Sequence, residues 1–168
     1  MRAPIRSVLV VGSGLIGASV GLACRELGLT VWLEDADPGA VAVAQQRGAG
    51  VAGPPEHDPD LVIVAVPPSL TASVVLHAMR RYLDATVSDV ASTKTHLQHK
   101  VESQSADLSR FVPGHPLAGR EVSGPGAARA DLFADRVWAL APLPQTDSER
   151  TAAVAELVTR FGAVPVVT

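Results

Sequence analysis

The sequence is short of cysteine, aromatics and positive charge, and each shortage closes off a class of function. One cysteine, Cys24, excludes an intrachain disulfide and fits a reducing compartment. Aromatic residues make up 4% of the chain, so a core has to be assembled from Val, Ala and Leu. The formal net charge is −3, and the one dense basic spot, Met79-Arg80-Arg81, reads as the polar end of a helix. A nucleic-acid surface needs clustered Lys and Arg against phosphates, so nucleic acid is not an expected partner. Long apolar runs are missing as well. Val8-Leu9-Val10-Val11 stops at Gly12, too short for a signal core or a membrane span. A cytoplasmic protein with no membrane partner is expected. Neither repeats nor low-complexity tracts interrupt the 168 residues, a length that suits one domain over 1–168.

What is present is alternation. Apolar runs at Ser7–Val11, Thr30–Glu34 and Leu61–Val66 have the pattern of strands buried on both faces of a parallel sheet. Shorter strands are expected at Thr86–Asp89, Arg110–Val112, Arg136–Leu140 and Val164–Val167. Helical spacing marks Leu15–Leu27, residues 39–47, Ser69–Arg81 with Ser69 as cap, Lys94–Glu102, and Asp147–Arg160. Gly28 and Gly48 are the stop signals of the first two helices. A Gly/Pro-rich stretch covers Pro113–Gly126. Strand following helix from end to end predicts an α/β fold. It should be a doubly wound, mostly parallel, Rossmann-type sheet with helices on both faces.

Gly12-Ser13-Gly14-Leu15-Ile16-Gly17 matches G-x-G-x-x-G between the first strand and the first helix. Gly12 permits the tight turn, Gly14 admits a pyrophosphate to the backbone, and Gly17 lets helix and strand pack closely. The N–H groups around Leu15 and Ile16 then face the phosphate charge. Asp35 follows at the end of the second strand, near the spacing of a ribose-binding carboxylate. Glu34 is adjacent but alternation sends it to the other side. A carboxylate at Asp35 repels a 2′-phosphate, so NAD is the expected cofactor. Val66 and Pro67, where the third strand ends, complete the expected cofactor contacts.

A nucleotide fold alone names no substrate. Two stretches are more informative: Asp89-Val90-Ala91-Ser92-Thr93-Lys94 and Gly114-His115-Pro116-Leu117-Ala118-Gly119-Arg120-Glu121. Each follows an expected strand at its carboxyl end, the edge where such sheets bind ligands. A hydroxyl at Ser92 and an imidazole at His115 can then converge on a substrate alcohol. An imidazole titrating near neutrality can take the proton from that alcohol as hydride leaves its carbon. Lys94 reads either as an active-site cation or as a solvated residue at a helix start.

Together with Ala128-Arg129-Ala130-Asp131-Leu132-Phe133, these motifs resemble the prephenate dehydrogenase family. The resemblance spans nearly the whole chain, and Gly-His-Pro-x-Ala-Gly is its most specific element. It implies NAD- or NADP-dependent oxidation and decarboxylation of prephenate to 4-hydroxyphenylpyruvate in tyrosine biosynthesis. Some members take arogenate instead, and the residues leave that choice open. On this resemblance His115 is the catalytic histidine, and Ser92 hydrogen-bonds both the substrate hydroxyl and that histidine. Glu121 governs access to the site, and Arg120 and Lys94 are candidate counter-charges for the substrate. The family also carries a helical second domain that dimerises and supplies cations. That domain is expected to be absent from this chain, and a homodimer is expected only where it is present. Another class of function stays open, a nucleotide-binding sensor that keeps the fold without turnover.

The remaining candidates have plainer readings. His57 should be solvated in a polar loop, and His77 should be a boundary residue within a helix. His96 and His99 have i, i+3 spacing but lack neighbouring ligands, so no metal is expected. Cys24 should be a buried, inert thiol.

Overall fold

The computed structural model describes residues 2–104, 107–118 and 123–168. The first sheet contains β1 (Ser7–Val11), β2 (Thr30–Glu34), β3 (Val51–Ala52), β4 (Leu61–Val64), β5 (Thr86–Asp89) and β6 (Phe111–Val112). All its pairings are parallel and its order is β3-β2-β1-β4-β5-β6. Strand order therefore reverses between β1 and β4, which opens a crevice at their carboxyl ends.

Alternation along each strand feeds both faces. Val8 and Val10 of β1 join Val31, Leu33, Leu61 and Ile63 in one core, while Leu9 joins Val62, Val64 and Val87 in another. The first core is covered by α1 (Leu15–Glu26), α2 (Pro38–Gln46) and α5 (Ser148–Arg160). The second is covered by α3 (Pro68–Arg81) and α4 (Thr95–Gln104). Fully buried β-branched residues on two faces explain the near-continuous apolar runs. Cys24 is wholly buried, and burial pushes its thiol up to about 12, so it is inert. Among the described residues no helix is long and apolar enough to cross a membrane.

The doubly wound parallel sheet is present as expected, but it does not hold every strand. A second sheet, ordered β7-β8-β9, is built from β7 (Gly114–Pro116), β8 (Val137–Leu140) and β9 (Val164–Val167). Here β7 runs antiparallel to β8 and β9 parallel to it. Trp138 packs with Phe133 and Phe161 at centroid distances of 5.0 and 6.0 Å, so half of the scarce aromatics gather beside this layer. The His115 stretch, expected to be a loop after β6, is thus a strand. Its pairing comes from β8, more than twenty residues later, which local reading does not see. Ser69 is also not a cap. The helix begins one residue earlier, with Pro68 at its first position and Pro67 preceding it without a side-chain cap bond. Proline suits that position because its missing N–H has no helical partner to lose.

Candidate active site

The glycine turn ends β1 in a conformation that only glycine adopts easily. Gly12 has φ 104°, and a Cβ there would lie 2.3 Å from the Ala65 carbonyl oxygen. At Gly17 a Cβ would lie 1.8 Å from the Gly12 carbonyl oxygen, so this residue lets α1 lie against the turn. Gly14 differs: its missing Cβ points into open space, with nothing within 4 Å. That space belongs to a cleft of about 680 Å³ at the carboxyl ends of β1, β2, β4 and β5.

Gly12, Gly14, Leu15, Ile16, Asp35, Val66 and Pro67 all line this cleft. Gly17 is buried beneath it and acts through packing. Asp35 does more than face the cleft. One carboxylate oxygen accepts the Ser13 amide at 2.6 Å, and the other accepts the Asp37 amide at 2.8 Å. The carboxylate therefore ties the glycine turn to the β2–α2 turn and still has lone pairs free for ribose hydroxyls. An open space above Gly14, amides at the start of α1, and an acid at the end of β2 fit a dinucleotide well.

The opposite wall carries the two expected reactive side chains. Ser92, exposed in the loop after β5, and His115, half-buried on β7, line the same cleft. Burial pushes the His115 imidazole below its ordinary 6.5, and the Lys94 ammonium adds to that while Asp89 opposes it. The neutral ring is the form that accepts a proton. Lys94, which stands just before α4, is directed at the Asp89 carboxylate and pairs with it. It is not among the residues that line the cleft. Arg120 and Glu121, the other expected substrate contacts, lie outside the described residues.

Several residues that shape the site were not singled out from sequence. Asp89 is fully buried and accepts three donors: the Lys94 ammonium, the Ala91 amide at 2.9 Å and the Gly114 amide at 3.2 Å. The available signal was weak, an acid ending the short, largely polar strand Thr86-Val87-Ser88-Asp89. Gly124 and Pro125 also line the cleft. Their segment is pinned by Arg47, whose guanidinium donates to the Gly126 and Ala128 carbonyls, and by Ser19, whose hydroxyl accepts the Arg129 amide. These contacts join positions 79 to 110 residues apart, so no local pattern announces them. His57 is exposed and sets its ring against Trp32 edge-on at 5.4 Å. His77, His96 and His99 are exposed, and no cluster among the described residues is fit to hold a metal ion.

Residues 20–167 match the family described as prephenate dehydrogenase, nucleotide-binding domain. The chain belongs to that family. A probable prephenate dehydrogenase of Streptomyces niveus, NovF, is 42% identical over 163 residues, covering 97% of this chain and 45% of the relative. The chain thus spans less than half the length of that curated relative. A crystal structure of prephenate dehydrogenase from A. aeolicus, in complex with hydroxyphenyl propionate and NAD+, superposes with a TM-score of 0.88. It is 26% identical and matches 100% of this chain and 61% of that one. Synechocystis arogenate dehydrogenase gives a TM-score of 0.87 at 25% identity, over 96% of this chain and 59% of its own. This member of the prephenate dehydrogenase family is a nucleotide-binding domain whose glycine turn, Asp35 and His115 share one cleft.

Proposed function

We propose that this chain is the NAD-binding, histidine-bearing part of a prephenate dehydrogenase. It would convert prephenate to 4-hydroxyphenylpyruvate and carbon dioxide. The observation that carries the reading is a single cleft in which the dinucleotide features on β1 and β2 face Ser92 and His115. NAD, when bound, takes up the hydride that leaves the carbinol carbon.

The chain's own residues have three tasks. The amides at the start of α1 bind the pyrophosphate, and Gly14 leaves room for it. Asp35 accepts the ribose hydroxyls and repels a 2′-phosphate. His115, kept neutral by burial and by Lys94, accepts the ring hydroxyl proton as hydride departs, while Ser92 orients that hydroxyl. Aligning donor, acceptor and base is what the cleft contributes to rate. A homodimer is proposed only where a helical second domain like that of the family is joined to this one.

The test is NAD reduction with prephenate and, separately, with arogenate, in the 168-residue chain and with a relative's helical domain supplied. Prephenate-dependent reduction that needs His115 supports the reading. Reduction with arogenate alone would move the substrate to arogenate. NAD binding with neither substrate oxidised in either format would leave a nucleotide-binding sensor and overturn the proposal.

A further inference from the structure

The residue that joins the two halves of the chemical wall is Asp89, and nothing in the family match assigns it a role. Three observations converge on it. It is fully buried at the end of β5, where an unpaired carboxylate would be costly, yet it has three donors. Those donors come from different places: the Ala91 amide in the Ser92 loop, the Lys94 ammonium at the start of α4, and the Gly114 amide next to His115. The fit is also close. A Cβ at Gly114 would meet the Asp89 carbonyl oxygen at 2.9 Å, the Trp138 Nε1 at 3.1 Å and the Ser88 hydroxyl at 3.3 Å. Strand β7 therefore lies directly against the end of β5, and it does so without any β-ladder pairing between them.

We propose that Asp89 is a positioning residue of the active site, fixing β7 and the Ser92 loop to one another so that His115 and Ser92 meet at the substrate. The inference rests on the dehydrogenase reading for its consequence, but its geometry does not. Lys94 in this arrangement neutralises Asp89 and holds a fixed positive charge near the imidazole.

The test uses the 168-residue chain and reads structure rather than turnover. In Asp89→Asn, NMR should show the Gly114 amide exchanging with solvent roughly tenfold faster, because a charge-assisted bond is gone. The His115 ring resonances should change as well. NAD affinity by calorimetry should stay within about twofold, since the proposed phosphate and ribose contacts lie on β1, β2 and α1 and share no bond with Asp89. Gly114→Ala parts the same two strand ends by crowding instead of by charge and should give the same His115 signature. It also carries the test if Asp89→Asn does not fold. Unchanged His115 resonances in either folded variant overturn the proposal. So does a loss of NAD affinity that parallels the His115 change, because Asp89 would then be holding the whole domain. If NAD is reduced with neither prephenate nor arogenate even when a helical domain is supplied, while these signatures appear, the dehydrogenase reading fails and the positioning role stands.

Discussion

The Asp89 carboxylate accepts the Gly114 amide at 3.2 Å, joining positions 25 residues apart in sequence. One end of this contact terminates a strand of the parallel sheet, and the other opens a strand of the smaller sheet. The nucleotide wall is made by the parallel sheet alone, from β1, β2 and β4. The wall bearing Ser92 and His115 needs both sheets, and on the proposed dehydrogenase reading their relative placement sets the gap between cofactor and base. Substrate alignment of this kind is sensitive to displacements of about 1 Å.

Two glycines of the turn should separate stability from binding. Gly17→Ala puts a Cβ 1.8 Å from the Gly12 carbonyl oxygen, so helix and turn must move apart. We expect a loss of at least roughly 1–3 kcal/mol, the usual cost of overpacking, read as a lower denaturation midpoint. Gly14→Ala meets nothing within 4 Å and should leave the midpoint near that of the parent. Its methyl occupies the space proposed for the pyrophosphate, so NAD affinity should fall at least tenfold or so, about 1.4 kcal/mol. Parent-like NAD binding by Gly14→Ala would remove the pyrophosphate from this cleft.

Asp35 should govern cofactor choice and also shape the turn. The unaltered chain should bind NAD more tightly than NADP. Asp35→Asn keeps the size and removes the charge, which should narrow that preference by calorimetry. Asp35→Ala additionally frees the Ser13 and Asp37 amides now held at 2.6 and 2.8 Å. Bonds to a charged acceptor are worth roughly 1.5–3 kcal/mol, so this variant should also be the less stable of the two. Equal affinities for NAD and NADP in the unaltered chain would remove the ribose role.

The parts of this protein that were legible in the sequence are those whose signals are local. The glycine turn, Asp35 and the buried strands each announce themselves within a few residues. The start of α3 is less clear, since Ser69 is the expected cap and the observed one is Pro67, two residues earlier. What was not legible depends on partners far along the chain. The His115 segment becomes a strand only because Ala139 lies opposite it on β8. Val51–Ala52 is too short to show alternation and is a strand only through Trp32 and Leu33. Lys94 stayed ambiguous between cation and solvated residue because its partner, Asp89, looked like any polar strand end.

The pH dependence of His115 has a definite sign. Burial and Lys94 hold its folded-state value below the ordinary 6.5. The unfolded chain therefore binds this proton more tightly than the folded one. The contribution to stability is present above 6.5 and is lost as pH falls through the folded value. The same shift keeps the ring able to accept a proton at neutral pH, so proton transfer should fail only on the acid side. An NMR titration of the ring should place its midpoint below 6.5, and a midpoint at or above that value would contradict the burial argument. Lys94→Met removes the positive charge and should raise the midpoint.

His115→Asn should separate the base from the binding site. In a protein carrying the helical domain we expect at least roughly a 10²-fold loss of prephenate oxidation, the contribution of a positioned general base. NAD affinity should hardly change, because the turn, Asp35 and α1 are untouched. Ser92→Ala should lose less, since the hydroxyl orients the reaction without taking the proton. Near-parental turnover by His115→Asn would end the assignment of the base.

The 168-residue chain by itself should bind NAD and oxidise prephenate slowly or not at all. The residues proposed to hold phosphate and ribose lie on or just after β1 and β2 and at the start of α1, all within this domain. Counter-charges for the substrate are missing among the described residues of the cleft. The described residues lining the cleft include Asp35, Asp37 and His115 but no lysine or arginine. Lys94 stands nearby with its charge already given to Asp89. Prephenate is a dianion, and it would enter a cleft whose fixed charges are negative and whose mouth admits water, which weakens each remaining electrostatic contact. Supplying a helical domain that bears cations should raise the rate at fixed NAD affinity, measured by NADH absorbance and calorimetry in parallel. Rapid prephenate-dependent NADH formation by the chain alone would show that its own residues, Arg120 and Lys94 first among them, suffice to hold the substrate.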